Sequence, residues 1–554
     1  MSEPDYEALR AKNAAASLVA TMMDRPLRVT DVIRRAERLF ADVEVVSRVE
    51  EGHIERTTYG AIARDAKRMA AALRALGIGK GMRVATLMWN HATHLTAYYA
   101  VPAIEAVLHP VNLRLSAEEI AYIIAEAGDE ALIVDEDMLP LYAEIERFVR
   151  VPHVIVHRAR RGGASEGRLD WHTLIEQTEP IPDWPDGPHD ENEAVSICYT
   201  SGTSGRPKGV VYSHRSMLLH GLAAAGVDAF SLSGRDTLMP LTPLFHVNGW
   251  SMPYSAVMLG AKLVFNGAHA TSAAVLDLMT QERVTAAFGV PTFWVDALKA
   301  WHAHPGRWQF EPGVRLYVGG AAPSADMIRS FDALGVYLQT GWGMTECSPI
   351  ATQTWVRRTY DARPNAERLA LRTGNGLPLP FVELRHVDPD GKVLPWDGTS
   401  RGELQVRGPW IASAYLGRPD PLTATTPDGW LKTGDIVTFA PDGYMRLVDR
   451  LKDLVKSGGE WISSVDMEQA LQDMPAVFEA AVIGVSDERW GERPLAIVSL
   501  REGLAATESQ IRAHLSSRYP KWMVPDHIEI VDALPRTSVG KLDKGKLRKR
   551  YTGD

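Results

Sequence analysis

The feature that most constrains the fold is a repeated alternation of short apolar runs and helical patterns over about the first 375 residues. Residues 61–76 place apolar side chains at helical spacing, with Gly77 as the stop, and residues 83–88 then form an apolar run that predicts a buried strand. The same pattern predicts further strands at residues 132–134, 154–156, 194–198, 262–265 and 315–318. Strands that alternate with helices are typical of parallel sheets covered by helices. This part of the chain is therefore predicted to have an α/β fold.

The pattern changes after about residue 375. Short strands predicted at residues 383–386, 403–406 and 444–448 are separated by Asp-Gly pairs, which favour the hairpins of a smaller β-rich subdomain. Beyond Asp449 the pattern predicts helices at residues 465–471 and 508–515, strands at 480–485 and 495–500, and a basic tail. We therefore predict a domain boundary near Asp449 and Arg450, which gives domains of residues 1–449 and 450–554.

Composition and charge exclude several classes of protein. Lys and Arg number 60 and Asp and Glu number 69, and this net charge of −9 argues against a nucleic-acid-coating protein. Two cysteines, Cys198 and Cys347, exclude a disulfide scaffold and a cysteine-only metal cluster within one chain. No stretch offers about 18 uninterrupted apolar residues, so no membrane span is expected. The acidic residues 1–5 do not resemble a secretory signal, and we expect a cytoplasmic protein.

The strongest local motif is YTSGTSGRPKG at residues 199–209, between a predicted strand and a helical pattern at 216–222. Glycines let backbone N–H groups approach an oxyanion, hydroxyl groups donate hydrogen bonds, and a lysine adds positive charge. The spacing matches neither the common P-loop nor the dinucleotide-binding motif. A phosphate-binding loop and a flexible Ser/Gly loop both remain open on composition alone. The candidate residues are Thr200, Ser201, Gly202, Thr203, Ser204, Gly205 and Lys208.

This motif resembles the phosphate loop of the adenylate-forming superfamily, which includes acyl-CoA synthetases, luciferases and the adenylation domains of peptide synthetases. Further stretches resemble family motifs in the family's order: QTGWGMTE at 339–346, TGD at 433–435, DRLKD at 449–453 and PRTSVGK at 535–541. The resemblance extends from about residue 76 to residue 546. It implies an α/β protein with a large N-terminal AMP-binding and acyl-binding domain of parallel αβα sheets, a small β-barrel-like subdomain, and a small mobile α+β C-terminal domain.

The resemblance implies a nucleotide site. Besides the phosphate loop, it assigns nucleotide contact to Gly320, Thr340, Gly341, Trp342, Thr345, Asp435, Arg450, Lys452, Lys456 and Trp461. Glu346 would hold Mg²⁺ with support from the Thr200 hydroxyl, although a solvated helix-start carboxylate is the alternative reading of Glu346. Asp435 would accept both ribose hydroxyls, or else be a turn residue. Gly320, which has no side chain, would let adenine lie flat against the backbone, or else it would form a tight turn. Trp342 would offer an aromatic face to the base.

The resemblance also implies the acyl, thiol and catalytic positions. His246, Val247, Trp250, Gly289 and Gly320 would contact the acyl group, and Gly458 and Gly459 would line the passage for coenzyme A. From sequence alone His246 is more typical of a structural histidine among apolar neighbours. Lys541 would bring its ammonium onto the acyl carboxylate and α-phosphate; the alternative is solvated surface charge in a basic tail. The catalytic set is thus Lys541, Thr200, Glu346 and His246.

The predicted reaction joins a carboxylic acid to coenzyme A with ATP and Mg²⁺, through an acyl-adenylate. Residues 244–250 hold no carboxylate that would bind an α-ammonium group, so a neutral, mostly apolar acid is favoured. The segment from 449 to 464 is most similar to bacterial medium- and long-chain fatty acyl-CoA synthetases, which implies a homodimer. The alternatives are a ligase for a short or aryl acid, an adenylate-forming enzyme that does not use coenzyme A, and a nucleotide-binding protein without catalysis.

Overall fold

The computed structural model describes residues 7, 10–11, 14, 20–50, 53–158, 168–200, 206–268, 270–417, 425–458, 460–537 and 542–552. Its strands are β1 (Glu44–Glu50), β2 (His53–Thr58), β3 (Arg83–Leu87), β4 (Val107–Pro110), β5 (Asp129–Asp135), β6 (His153–His157), β7 (Leu169–Asp170), β8 (Ala194–Tyr199), β9 (Gly209–Ser213), β10 (Thr237–Pro240), β11 (Lys262–Phe265), β12 (Ala286–Gly289), β13 (Arg315–Val318), β14 (Tyr337–Gly343), β15 (Ile350–Gln353), β16 (Leu377–Pro378), β17 (Glu383–Val387), β18 (Gly402–Arg407), β19 (Leu431–Phe439), β20 (Met445–Arg450), β21 (Val455–Ser457), β22 (Glu460–Ile462), β23 (Val477–Asp487), β24 (Gly491–Leu500) and β25 (His527–Val531).

The α-helices are α1 (Val29–Leu39), α2 (Tyr59–Ala75), α3 (Ala92–Ala100), α4 (Ala117–Ala127), α5 (Leu139–Ile145), α6 (Trp171–Gln177), α7 (His214–Ala225), α8 (Met252–Leu259), α9 (Ser272–Gln281), α10 (Pro291–Ala303), α11 (Ala325–Ala333), α12 (Asn365–Arg372), α13 (Ser464–Gln472), α14 (Glu508–Ser516) and α15 (Lys544–Tyr551). Residues Val247–Trp250 form one left-handed turn, described below. None of the described helices is long and apolar enough to cross a membrane.

Two large sheets dominate the N-terminal part. One has the order β7-β6-β5-β3-β4-β8-β9 and is parallel except for the pair β8–β9; the other has the order β16-β15-β14-β13-β12-β10-β11-β1-β2 and is parallel from β1 through β14. Helices pack between and around them. The central strands are buried on both faces, which is why their sequences are continuous apolar runs. The predicted α/β architecture is confirmed.

Two smaller sheets follow. Strands β17 to β20 form an antiparallel sheet in sequential order, which is the predicted β-rich subdomain. Strands β21 to β25 form the sheet of the C-terminal part, which has its own apolar core with α13 and α14. The chain passes from one sheet to the other after Arg450, and the Asp449 carboxylate accepts the N–H and the hydroxyl of Ser464, both at 2.6 Å. A boundary at 449/450 is compatible with this change of sheet and stays a prediction.

Candidate active site

A cavity of about 810 Å³ lies where the carboxyl ends of several strands meet. Ligands of open α/β sheets bind at this end of the strands, because the loops that follow the strands converge there. Thr200 enters the wall after β8, Gly289 closes β12, and Gly341 lies in β14. Thr433 and Arg450 of the small antiparallel sheet and Arg536 of the C-terminal part complete the lining. All three parts of the chain therefore contribute to one site.

The two ends of the predicted phosphate loop, Thr200 and Lys208, are hydrogen-bonded to each other. The Thr200 N–H donates to the Lys208 carbonyl at 2.9 Å, and the Lys208 N–H donates back to the Thr200 hydroxyl at 3.1 Å. Both residues line the cavity. Ser201, Gly202, Thr203, Ser204 and Gly205 lie outside the described residues. The backbone bonds between the ends of β8 and β9 thus hold a hydroxyl and an ammonium at the same end of the cavity.

A tyrosine that the sequence analysis missed links this loop to Glu346. The Lys208 ammonium lies 4.8 Å from the centre of the Tyr415 ring, and the Tyr415 hydroxyl donates to Glu346 Oε1 at 2.6 Å. Glu346 is 4% exposed, and burial raises the pKa of its carboxyl group while the hydrogen bond from Tyr415 lowers it. No sequence motif identifies Tyr415, because its contacts with Lys208 and Glu346 form only when the chain folds and brings residues 408–417 beside them.

The residues at this end fit a magnesium ion. Mg²⁺ is held in phosphate sites by one or two carboxylates together with phosphate oxygens. Glu346 is a buried carboxylate on the cavity wall, and the Thr200 hydroxyl lines the same cavity. Thr345 also lines it, and the Thr345 carbonyl accepts the Tyr212 hydroxyl at 2.6 Å, which fixes this short helical turn.

Trp342, Gly320 and Arg450 of the predicted adenosine residues form the next part of the wall, whereas Asp435 is buried and does not itself line the cavity. Trp342 lines the cavity and its Nε1–H donates to Asp435 Oδ2 at 2.7 Å, while Arg450 Nε lies 3.3 Å from Asp435 Oδ1. Gly320 lines the cavity with a φ of 88°, a backbone conformation that glycine adopts without strain. Thr340 does not line it, since its hydroxyl donates to the Val318 carbonyl at 2.9 Å. Thr340 supports the wall from behind.

The other end of the cavity is mainly apolar and aromatic. His246, Val247, Trp250 and Gly289 line it, together with Phe230, Leu241, Val290, Phe293 and Tyr317, while Thr292 and Asp296 of α10 add polar groups to the lining. Val247–Trp250 all have positive φ, from 36° at Asn248 to 62° at Gly249, and so form a left-handed turn. A Cβ at Gly319 would lie 2.4 Å from the Trp250 indole, so Trp250 packs directly on that backbone. The turn thus aims an aromatic ring and an imidazole into the site.

Asn90 is a second wall residue that sequence reasoning missed. Its side-chain amide donates to the carbonyls of Pro240 and Thr242 at 3.1 and 2.9 Å and accepts the Leu244 N–H at 2.8 Å. Three bonds from one buried side chain therefore hold the segment that leads to His246. The sequence gives no signal for it beyond an asparagine after a predicted strand.

The C-terminal part reaches the cavity through the motif at residues 535–541. Arg536, which was not among the predicted site residues, lines the cavity and forms an ion pair with Glu479. Lys541 lies outside the described residues, and Leu542, the residue after it, pairs through its backbone with Arg536. The chain on either side of the predicted catalytic lysine is therefore anchored next to a residue that lines the site.

The described residues predicted between 452 and 461 do not reach the cavity. Lys456 and Trp461 face each other across the hairpin β21–β22, with the ammonium 4.6 Å from the ring centre. Gly458 has a φ of 61°, and a Cβ there would lie 2.8 Å from Trp490. Burial lowers the pKa of Lys452. None of these described residues lines the cavity, and Gly459 lies outside the described residues.

Comparison with known proteins identifies the family. Residues 33–416 match the model of the AMP-binding enzymes, and residues 466–541 match the model of the AMP-binding enzyme C-terminal domain. A long-chain-fatty-acid–CoA ligase of Thermus thermophilus is 43% identical over 96% of this chain and 97% of its own length. A 3-methylmercaptopropionyl-CoA ligase of Ruegeria lacuscaerulensis is 40% identical over 96% and 99%. A medium-chain-fatty-acid–CoA ligase of Ectopseudomonas oleovorans is 39% identical over 96% and 98%.

Solved structures agree with these relatives. The anthranilate CoA ligase AuaEII in complex with anthranoyl-AMP superposes with a TM-score of 0.83 at 25% identity, over 97% of this chain and 99% of the other. ATP-bound MatB from Rhodopseudomonas palustris superposes with a TM-score of 0.80 at 26% identity, over 94% and 99%. The family model alone matches well over half of the chain, and the predicted resemblance is confirmed: this chain belongs to the AMP-binding enzyme family, the adenylate-forming enzymes.

Proposed function

We propose that this protein is an ATP-dependent, AMP-forming acyl-CoA ligase that acts on a medium- or long-chain fatty acid. The observation that carries the proposal is one continuous cavity with two chemically different ends. Lys208, Tyr415 and Glu346 form a polar, charged end, and apolar and aromatic side chains form the other. Such a cavity suits a triphosphate at one end and an acyl chain at the other. The long-chain- and medium-chain-fatty-acid–CoA ligases at 43% and 39% identity support the same activity.

The chemistry needs two steps because a carboxylate is a poor acyl donor. The carboxylate oxygen attacks the α-phosphate of ATP, a P–O bond forms, and pyrophosphate leaves. The thiol of coenzyme A then attacks the carbonyl carbon of the acyl-adenylate, the thiol proton is released, and AMP leaves. Catalysis of the first step depends on positioning and on stabilising charge around the phosphates. Mg²⁺, when bound, neutralises charge on the phosphate oxygens.

Several residue roles follow as proposals. Thr200, Lys208 and Glu346 hold the phosphates and the ion, and His246 lies beside the reacting carboxylate. Trp342 and Gly320 contact the base, and Asp435 with Arg450 contacts the ribose. Lys541 supplies the mobile ammonium for adenylate formation. A second arrangement of residues 450–554 would bring a further group into the site, because in this structure its described members do not line the cavity. This group is Lys452, Lys456, Gly458, Gly459 and Trp461. A cytoplasmic homodimer is proposed on resemblance alone.

The second candidate is a ligase for a short thioether acid. The 3-methylmercaptopropionyl-CoA ligase at 40% identity favours it, since that relative is as similar as the medium-chain enzyme at 39%. The half-buried apolar residues Leu241, Val290 and Phe293 line the cavity, and a short acid would leave part of that surface uncovered. We therefore place the fatty acid first.

The test is coenzyme A-dependent release of AMP with a panel of saturated acids from two to eighteen carbons, aryl acids and 3-methylmercaptopropionate. We expect the highest kcat/KM with fatty acids of eight carbons or more. A maximum at the short thioether acid would establish the second candidate, and AMP release that does not need coenzyme A would refute both.

The proposed role of Lys541 has its own test. Lys541→Ala should lose about 10²- to 10³-fold in adenylate formation, as expected for removal of one preorganised charge contact. It should keep most of its rate of thioester formation from supplied acyl-adenylate, because the lysine serves the first step. Lys549→Ala, in the same basic tail, is the matched control. An equal loss in both steps would contradict the assignment.

A further inference from the structure

A cluster outside the active site contains Glu105, His189 and Glu193. Glu193 immediately precedes β8, whose far end leads to Thr200, and Glu105 precedes the neighbouring parallel strand β4. A six-residue strand is about 20 Å long. The cluster therefore lies at the amino ends of the strands, a strand's length from the cavity, and none of its three residues lines that cavity.

His189 is the unusual member of this cluster. Its side chain is 1% exposed, and neither ring nitrogen has a hydrogen-bond partner among the described protein groups. Buried polar atoms are nearly always paired, and an unpaired one calls for a specific explanation such as a bound ion or water. Nδ1 lies 3.8 Å from Glu193 Oε2, too far for a hydrogen bond. The ring packs edge-on against His214 with 4.5 Å between centroids, which fixes its orientation.

We propose that Glu105, His189 and Glu193 form a binding site for one divalent transition-metal ion of the Zn²⁺ type. One ligand atom from each residue lies within 4.8 Å of the others. Atoms bound at about 2.0–2.2 Å to a common ion are at most about 4.4 Å apart, so a small inward movement closes the site. Imidazole nitrogen with carboxylate oxygen suits zinc and its first-row neighbours, whereas Mg²⁺ and Ca²⁺ prefer oxygen alone.

The groups around the cluster leave ligand atoms available to a cation. Both ring nitrogens of His189 lie without a hydrogen-bond partner among the described groups. Lys80 Nζ lies 2.6 Å from Glu193 Oε1 and is the cation that an ion would have to displace. The Lys80 side chain is 58% exposed and can turn into solvent. Glu193 Oε2, the oxygen that faces His189, remains for the ion.

A second histidine–carboxylate cluster differs in that its members bond to each other. In His91, Asp135 and His157 the ring nitrogens lie 2.8 to 3.1 Å from the carboxylate oxygens, so the groups bond to each other. His91 Nδ1 accepts the His94 N–H at 3.3 Å, which leaves the His91 proton on Nε2, directed at Asp135. That cluster is satisfied internally, and it provides the control.

An ion at the first cluster would join two elements that are distant in sequence. It would tie the segment that carries His189 and Glu193 to Glu105, at the amino ends of β8 and β4. The expected consequence is a more stable N-terminal part, since a ligand that binds only the folded state stabilises it. The ion is not expected to take part in the ligase reaction, because it lies at the opposite end of β8 from Thr200.

The experiment uses the full-length chain after removal of metal with a chelator, in excess Mg²⁺ and without ATP. Titration with Zn²⁺, and with Co²⁺ for its visible absorption, should show one equivalent bound per chain and a rise in Tm. His189→Gln and Glu105→Gln should weaken binding by at least the roughly 10- to 100-fold that even an outer-shell change costs. Glu105→Gln keeps the size of the side chain, and circular dichroism with ligase activity verifies that each variant is folded.

The matched control is His157→Gln in the second cluster, which should bind the metal as the parent does. The proposal is overturned if the parent binds no stoichiometric ion, if His189→Gln binds as tightly as the parent, or if His157→Gln is the variant that loses binding. Because the readouts are bound metal, absorption and Tm, the result does not depend on which acid the ligase uses.

Discussion

Tyr415→Phe removes one hydroxyl from the charged end of the cavity and leaves the ring. The hydroxyl donates to Glu346 Oε1 at 2.6 Å, and the ring accepts the Lys208 ammonium at 4.8 Å. The substitution therefore separates the hydrogen bond from the cation–π contact. We expect adenylate formation to slow, because the carboxylate that would hold Mg²⁺ loses its fixed orientation and the hydrogen bond that the Tyr415 hydroxyl donates to it.

The size of the effect follows from the burial of Glu346. A hydrogen bond to a charged group contributes about 1.5–3 kcal/mol, and about 1.4 kcal/mol corresponds to tenfold in rate, so kcat/KM for ATP should fall about 10- to 100-fold. Burial already raises the pKa of Glu346 and the bond from Tyr415 lowers it. Without that bond the pKa rises further, which weakens the ionised form that a cation needs.

The assay is ATP–pyrophosphate exchange with the preferred acid, at several Mg²⁺ concentrations. The deficit should shrink at high Mg²⁺, and the KM for the fatty acid should change little, because Tyr415 lies at the phosphate end. Tyr360→Phe, which removes a tyrosine–carboxylate hydrogen bond to Asp442 outside the cavity lining, is the control and should keep full activity.

Two results would refute this reasoning. An unchanged kcat/KM for ATP would mean that Tyr415 does not orient Glu346 in the working enzyme. An equal loss in thioester formation from supplied acyl-adenylate would mean that the hydroxyl supports the site as a whole rather than the phosphate end.

Three further predictions concern the wall and the core. Gly319→Ala places a Cβ 2.4 Å from the Trp250 indole, so kcat/KM should fall more for long acids than for short ones. Gly79→Ala, where no atom lies within 4 Å of the new Cβ, is the control and should leave activity unchanged. Asn90→Ala breaks three hydrogen bonds to the segment before His246 and should lower kcat at least tenfold with wild-type KM for ATP, as measured in steady-state assays. Burial lowers the pKa of His220 to about 3, below its unfolded value of about 6.5. Below about pH 6.5 the unfolded chain therefore binds a proton at His220 that the folded chain does not, so the contribution of His220 to the free energy of unfolding falls by about 1.4 kcal/mol per pH unit. Urea unfolding of His220→Gln should therefore approach the parent's stability as pH falls from 7 to 5.

Local patterns predicted the fold well because each strand is a buried run of its own. The predicted strand at 132–134 lies inside β5, and those at 262–265 and 315–318 coincide with β11 and β13. Strand ends were less accurate, as with 480–485 inside β23 (Val477–Asp487), because most residues outside 480–483 in that strand are only partly buried and lack a continuous apolar run. The order of strands within each sheet was not predicted, since it depends on crossovers that no local pattern specifies.

The site was predicted only where chemistry lies in contiguous motifs. Thr200, Glu346 and Trp342 belong to short motifs, and the structure brings them to one cavity. Tyr415 and Asn90 act through partners 69 and about 150 residues away, so their roles arise from tertiary packing. Thr340 belongs to a motif yet faces away from the cavity, because a strand alternates its side chains between the two faces.

The left-handed turn at Val247–Trp250 shows why such a wall is invisible to local analysis. A sequence with one glycine among four residues predicts at most one positive φ, yet all four residues adopt it. Each non-glycine residue in this region costs about 1–2 kcal/mol. Contacts from distant elements offset that cost: Asn248 donates to Ser196 at 2.6 Å, and the Tyr98 hydroxyl donates to the Leu244 carbonyl at 2.6 Å. The strain is therefore retained where His246 and Trp250 enter the cavity, as expected when backbone strain serves a functional site.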